Sequence, residues 1–251
     1  MSFSLAVYAA LLDELKQARK PFLPMSSFLD NPITKSILLR HDVDRRPARS
    51  VAMAKLEAKK NISATYYFRI TKAGQFPVQA VKTIAALGHE CGYHYEVLSD
   101  CKGDMAAASE LFKKNLASLR EIVTVDSVSM HGAPLSPHDN QDFGDTLNFS
   151  DHALKGDAVR TVEKFDPLYF TDTGGIWADG KANLRDRVGT RVPELQPDEV
   201  GFRDYVEQSE VPIYISTHPE RWPSGTIGQL QARLRDEGVN VVKRTLRATR
   251  S

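Results

Sequence analysis

The chain carries almost no surplus of charge. Its 33 Lys and Arg stand against 32 Asp and Glu, a formal net charge of +1 over 251 residues. It therefore lacks the basic excess that nucleic acid or an anionic membrane selects. Cysteine is scarce: Cys91 and Cys101 form no C-x-x-C zinc or redox pair and read as buried free thiols. Long apolar runs are missing as well, none approaching the roughly 18 residues that would span a bilayer. The first segment, MSFSLAVYAALLDELKQARK, has no basic residue ahead of its apolar part and contains Asp13 and Glu14, which is foreign to a secretory signal. These absences point to a soluble, cytoplasmic protein with a small or uncharged partner and no nucleic acid or membrane span. No internal repeat, low-complexity tract or Pro/Gly/Ser linker divides the chain, so one domain over 1–251 is expected, large enough to bury its own core. No H-E-x-x-H helix, P-loop or G-x-S-x-G elbow occurs, and Gly174-Gly175 reads as a turn.

What is there is alternation. Short apolar runs predict strands near 36–42, 63–70, 89–95, 126–131, 167–172 and 211–217, with a weaker one at 238–243. Helical spacing of Leu5, Tyr8, Leu12 and Leu15 predicts an amphipathic helix over about 4–19. Further helices are expected at 48–60 behind Pro47, at 77–87 closed by Gly88, at 104–121 capped by Asp104, and at 224–236. Strands separated by helices of this length pair in parallel through right-handed crossovers, an α/β fold. Residues 132–210, rich in Pro, Gly and Asp, read as long loops on one face of that scaffold.

The chemistry-bearing residues gather at the predicted strand ends. SILLRHDVDRRP closes the first strand with His41, Asp42 and Asp44; Arg69 stands beside the end of the second; His94, Tyr95 and Glu96 close the third. His131, Asp172 and His218 follow the fourth, fifth and sixth. In a parallel barrel or open sheet these ends converge on one mouth. Asp42 and Asp44 are two apart, so on an extended chain their carboxylates share a side and call for a cation or a raised pKa. The neighbouring arginines could supply that charge as a plain salt-bridged strand end. Four of the seven histidines, His41, His94, His131 and His218, lie at strand ends beside these carboxylates, a donor set that suits zinc, iron, nickel or manganese.

LLRHDVD, ISATYYFR, GHECGYHYE, the HGAP segment, YFTDTGG and ISTHPERW, in this order over roughly residues 36 to 222, resemble the polysaccharide deacetylase family, in particular a bacterial branch of carbohydrate esterase type. The resemblance implies an irregular (β/α)7 barrel that removes an acetyl group from an acetylated sugar or surface-polysaccharide precursor with one divalent metal ion. Zinc is the first expectation, with iron, nickel, cobalt or manganese as alternatives. Carried over residue by residue, Asp42 matches the general base, Asp44 the metal-binding Asp, His94 the first histidine of an H-x-x-x-H metal pair, and His218 the general acid. The pattern breaks four residues after His94, where Leu98 stands and cannot ligate a metal. His131 and Glu96 are the candidates for the third ligand, His131 preferred. Arg69, Asp172 and Trp177 are candidate substrate-binding groups. For Asp172, orientation of His218 or a turn is the alternative; for Trp177 and Trp222, a core or rim position; for Arg69, a buried ion pair. His41 and His89 read as structural. Leu98 also motivates another reading, an inactive barrel that binds a glycan or a partner; a further one, a hydrolase of another non-peptide carbon–nitrogen bond, follows from the resemblance, because related barrels also process small cyclic or linear amides.

Overall fold

A computed structural model describes residues 3–225, except 72, 135, 178–184 and 186, and residue 228. The strand expected at 238–243 and, apart from residues 224, 225 and 228, the helix expected at 224–236 lie outside the described residues.

Helix α1 (Leu5–Gln17) is capped by Ser4, whose side chain accepts from the Val7 amide, and it buries Tyr8, Leu11, Leu12 and Leu15 along one stripe. Helix α2 (Met25–Asp30) follows, then strand β1 (Ile37–Val43), buried along its whole length. Helix α3 (Pro47–Lys59) begins with its proline in the first turn, as expected. Strand β2 (Thr65–Phe68), helix α4 (Val78–Ala86) and strand β3 (Glu90–Tyr95) continue the alternation. Gly88 follows α4 at φ +89°, a left-handed turn that leads the chain into β3. Short helix α5 (Val97–Asp100) precedes α6 (Met105–Arg120), whose cap Asp104 accepts from the Ala107 amide. Strand β4 (Ser127–Met130) leads through α7 (Asn140–Gly144) to the two-residue β5 (Gly156–Asp157). Strand β6 (Leu168–Thr171), helix α8 (Phe202–Gln208) and strand β7 (Ile213–Thr217) complete the described elements.

Among the described residues all the strand pairs are parallel, and the sheet runs β5-β4-β3-β2-β1-β7-β6. It curls into a half-barrel flanked by helices, the expected (β/α)7 type, with β5 and β6 as its edges. Continuous burial on β1, β2, β4, β6 and β7 is what a parallel sheet covered on both faces requires. Gly92 on β3 makes room inside the curve: a Cβ there would strike the Tyr67 ring and the Ser127 carbonyl. β6 falls on the strand expected at 167–172, whereas the rest of 132–210, expected as loops, also holds α7, β5 and α8, each too short for a periodic pattern to emerge from the sequence.

The pleat sorts β1 into two faces. Arg40, Asp42 and, just beyond the strand, Asp44 share one parity, while His41 has the other. His41 meets the helices: its Nε2 is 2.8 Å from Glu57 Oε1 of α3, and its Nδ1 pairs with Thr217 Oγ1 at 2.7 Å. Glu57 also accepts from the Tyr66 hydroxyl at 2.6 Å and from the Tyr8 hydroxyl, so one fully buried carboxylate ties α1, β1, β2 and α3. His89 sits at the opposite end of the sheet from the mouth, donating from Nε2 to Ala54 O at 2.9 Å and accepting from the Ala64 amide at 3.2 Å.

Candidate active site

The strand ends converge as their register demands. Asp42 lies opposite Tyr67 and Val43 opposite Phe68, so Asp44 and Arg69 leave β1 and β2 at the same level. His94 pairs in register with Ser129 and Tyr95 with Met130, which brings Glu96 and His131 together; Thr171 pairs with Ser216, which does the same for Asp172 and His218.

Asp44, His94 and His131 each present a ligand atom, all within 4.8 Å of one another. His94 Nε2 is 3.6 Å from Asp44 Oδ1, and His131 Nε2 is 3.7 Å from Asp44 Oδ2. Both imidazoles are oriented from behind. His94 Nδ1–H donates to the Ser129 carbonyl at 3.0 Å and His131 Nδ1–H to Glu96 Oε2 at 2.8 Å, which leaves each Nε2 with a lone pair toward Asp44. Asp44 Oδ1 is buried and accepts no hydrogen bond from the described residues. An orphaned carboxylate oxygen facing two Nε2 lone pairs fits a divalent cation of zinc type.

Glu96, the other candidate third ligand, is spent on His131 and on Arg69, which also donates to it. The structure thus brings His131 into the trio and places Glu96 behind it. Leu98 is buried in α5 and offers nothing to the cluster.

Asp42 lies beside the trio, its Oδ2 3.8 Å from His94 Nε2. Arg40 holds both of its oxygens, Nε to Oδ1 and Nη2 to Oδ2, each at 2.8 Å. Arg40 is one of the neighbouring arginines that the sequence offers as a charge partner for these carboxylates, and it is the one that holds Asp42. Its signal was parity, since residues two apart on a strand share a face.

Opposite stands His218. Its Nδ1–H donates to Asp172 Oδ1 at 2.6 Å and its backbone amide to Asp172 Oδ2 at 2.9 Å. Asp172 is fully buried and also accepts from Arg221 at 3.2 Å and from the Trp222 indole at 2.7 Å. It therefore orients the imidazole and faces no solvent. Trp222 is only 2% exposed, so its ring is a core group and has no free face for a sugar. Trp177 is half-buried, with Phe3 at 5.3 Å and Trp222 at 5.6 Å between ring centroids. Glu220, buried just beyond His218, was not anticipated: Oε1 is 3.4 Å from Arg45 Nη2, and Oε2 has no partner among the described residues.

The charges reinforce one another. Burial works to raise Asp42, but Arg40 above all, then His94 and His218, hold it below its ordinary range. Burial likewise opposes ionisation of Asp44, and His131 and His94 outweigh it, keeping this carboxyl far below its ordinary value. Glu96 falls to about 2, burial being overcome by His131 and Arg69. His94 is pushed down to about 4 by burial, against the pull of Asp42 and Asp44, so it is a neutral imidazole at neutral pH. His218 moves the other way: burial and Arg221 lower it, yet Asp172 and Asp42 prevail and raise it.

No family model and no curated protein matches the chain. Solved structures of the CE4 carbohydrate esterase family do. A CE4 family pseudoenzyme from Bacillus anthracis is 15% identical, over 86% of this chain and 63% of its own, with a TM-score of 0.40. The catalytic domain of a peptidoglycan N-acetylglucosamine deacetylase from Eubacterium rectale is 14% identical over 84% of this chain and 87% of its own, TM-score 0.45. A CE4 esterase from Streptococcus mutans is 13% identical over 94% and 87%, TM-score 0.39. The chain spans just under two thirds of the pseudoenzyme's length. Likeness at this level carries no argument about chemistry, which rests on the residues themselves.

Proposed function

We propose that the chain is a metal-dependent hydrolase that removes an acetyl group from an acetylated sugar or glycan precursor. The observation that carries this reading is the convergence of three groups of residues on one mouth: the Asp44–His94–His131 trio, Asp42 fixed by Arg40, and His218 fixed by Asp172. Asp44, His94 and His131 would hold the cation, zinc by the character of the donors. When bound, such an ion supplies Lewis acidity toward an acetyl carbonyl and the attacking water.

The chain's own residues do the rest. Asp42, ionised and pinned by two hydrogen bonds, accepts the proton of the attacking water. His218 carries a proton on Nδ1 toward Asp172, which leaves Nε2 as the atom that protonates the departing amine or alcohol. The raised pKa of His218 favours the protonated form that this step needs. The test is acetate release from a panel of acetylated sugars by zinc-reconstituted protein. Loss of turnover in Asp42→Ala and His218→Ala is expected, and unchanged turnover in either would rule the mechanism out.

One observation favours a second reading, a glycan-binding barrel without turnover. Both oxygens of Asp42 are engaged by Arg40, and the lowered pKa makes it a weaker base. Stoichiometric metal that is lost in His94→Ala supports the enzyme; persistent absence of metal after reconstitution supports the binding module.

A further inference from the structure

Arg69 leaves the end of β2 and enters the trio itself. Its Nη1 is 3.4 Å from His131 Nε2 and 3.7 Å from Asp44 Oδ1, while its Nη2 donates to Glu96. Two of the three ligand residues therefore already face a cation, a guanidinium belonging to the chain. His131 Nε2 has a single lone pair, since the proton sits on Nδ1 toward Glu96. That lone pair accepts from Arg69 or binds a metal ion, and cannot do both. Arg69 Nε is buried and has no hydrogen-bond partner among the described residues, so none of them anchors the guanidinium on that side. It can turn away from His131 while Nη2 stays on Glu96.

We propose that Arg69 sets the cation affinity of the Asp44–His94–His131 site, its guanidinium competing with a divalent ion for His131 Nε2 and Asp44 Oδ1. The proposal rests on the metal-site reading above and adds a sign to it. A brace that merely supported Glu96, and through it His131, would strengthen metal binding. A competitor weakens it, because a +1 charge a few ångströms from a +2 charge is repelled strongly in a partly buried setting.

The test uses zinc alone, titrated into the full chain against a chromophoric chelator, for the wild type, Arg69→Gln, Arg69→Met and Arg69→Lys, each also carrying Asp44→Asn as a control. Two uncharged replacements guard against one misfolded variant, and circular dichroism checks the fold. The expected result is zinc bound at least about tenfold tighter by R69Q or R69M than by the wild type. R69K, which keeps the charge, tightens less, and the Asp44→Asn background removes the gain. Equal or weaker zinc binding by the folded neutral variants, with wild-type binding that still depends on Asp44, overturns the proposal and leaves the metal reading intact. Absence of zinc binding in both the wild type and the folded neutral variants overturns both.

Discussion

Arg40 and Asp42, two residues apart on β1, form a fully buried fork in which Nε and Nη2 each lie 2.8 Å from a carboxylate oxygen. The strand pleat puts them on one face, so the pair is set by the backbone and needs no long-range folding event. Removing the guanidinium alone leaves an uncompensated buried carboxylate. Arg40→Met is therefore expected to cost about 3–5 kcal/mol in urea unfolding, and adding Asp42→Asn should recover much of it. Additive losses in that double-mutant cycle would show that the two side chains do not act as a pair.

His218 and Asp172 give the pH dependence. Asp172 raises the His218 pKa against burial and Arg221. A raised folded value means that the imidazolium and its stabilising contact persist below the ordinary histidine pKa and are lost as pH rises through the folded one. Turnover should fall on the alkaline side for the same reason. Asp172→Asn removes the charge, so the His218 titration followed by NMR is expected to move to lower pH, and the alkaline limb of kcat with it. A titration that stays put would detach Asp172 from this role.

Much of this site was legible in the sequence because strand ends are. LLRHDVD, GHECGYHY, YFTD and ISTH each join an apolar run to a polar terminus, and parallel pairing then brings the termini to one mouth. What stayed open was set by contacts that no spacing encodes. Whether His131 or Glu96 faced Asp44 and His94 depended on how β3 and β4 align, since Tyr95 opposite Met130 places the two side chains against each other. For Trp222 the sequence left the core position open, and it is the contact of its N–H with Asp172 that fixes it there. β5, two residues long, leaves no pattern to read.

The division of labour between His131 and Glu96 can be measured. His131 presents Nε2 to Asp44, whereas Glu96 binds the far side of its ring. His131→Ala should abolish stoichiometric zinc binding. Glu96→Gln should weaken it by only about 10–100-fold, the usual effect of losing a carboxylate behind a ligating histidine. Complete loss in Glu96→Gln with binding retained in His131→Ala would exchange the two roles.

The site also depends on a polar knot beneath it. Glu57 lies on α3, yet its carboxylate receives Tyr8 from α1, Tyr66 from β2 and His41 from β1, the residue immediately before Asp42. Burial alone would raise the Glu57 pKa, and His41, His89 and Tyr66 outweigh it to lower the value. A lowered folded pKa makes this a stabilising contribution that is present above the unfolded carboxyl pKa and lost as pH falls through the folded one. Glu57→Ala should therefore cost about 3–5 kcal/mol at neutral pH, because it strands two hydroxyls and an imidazole in the interior. The gap to the wild type should narrow in acid, where the wild type loses the same contribution. Parallel urea melts across the acid range check both the size and the sign, and a gap that widens in acid would contradict the ionised state assigned to Glu57.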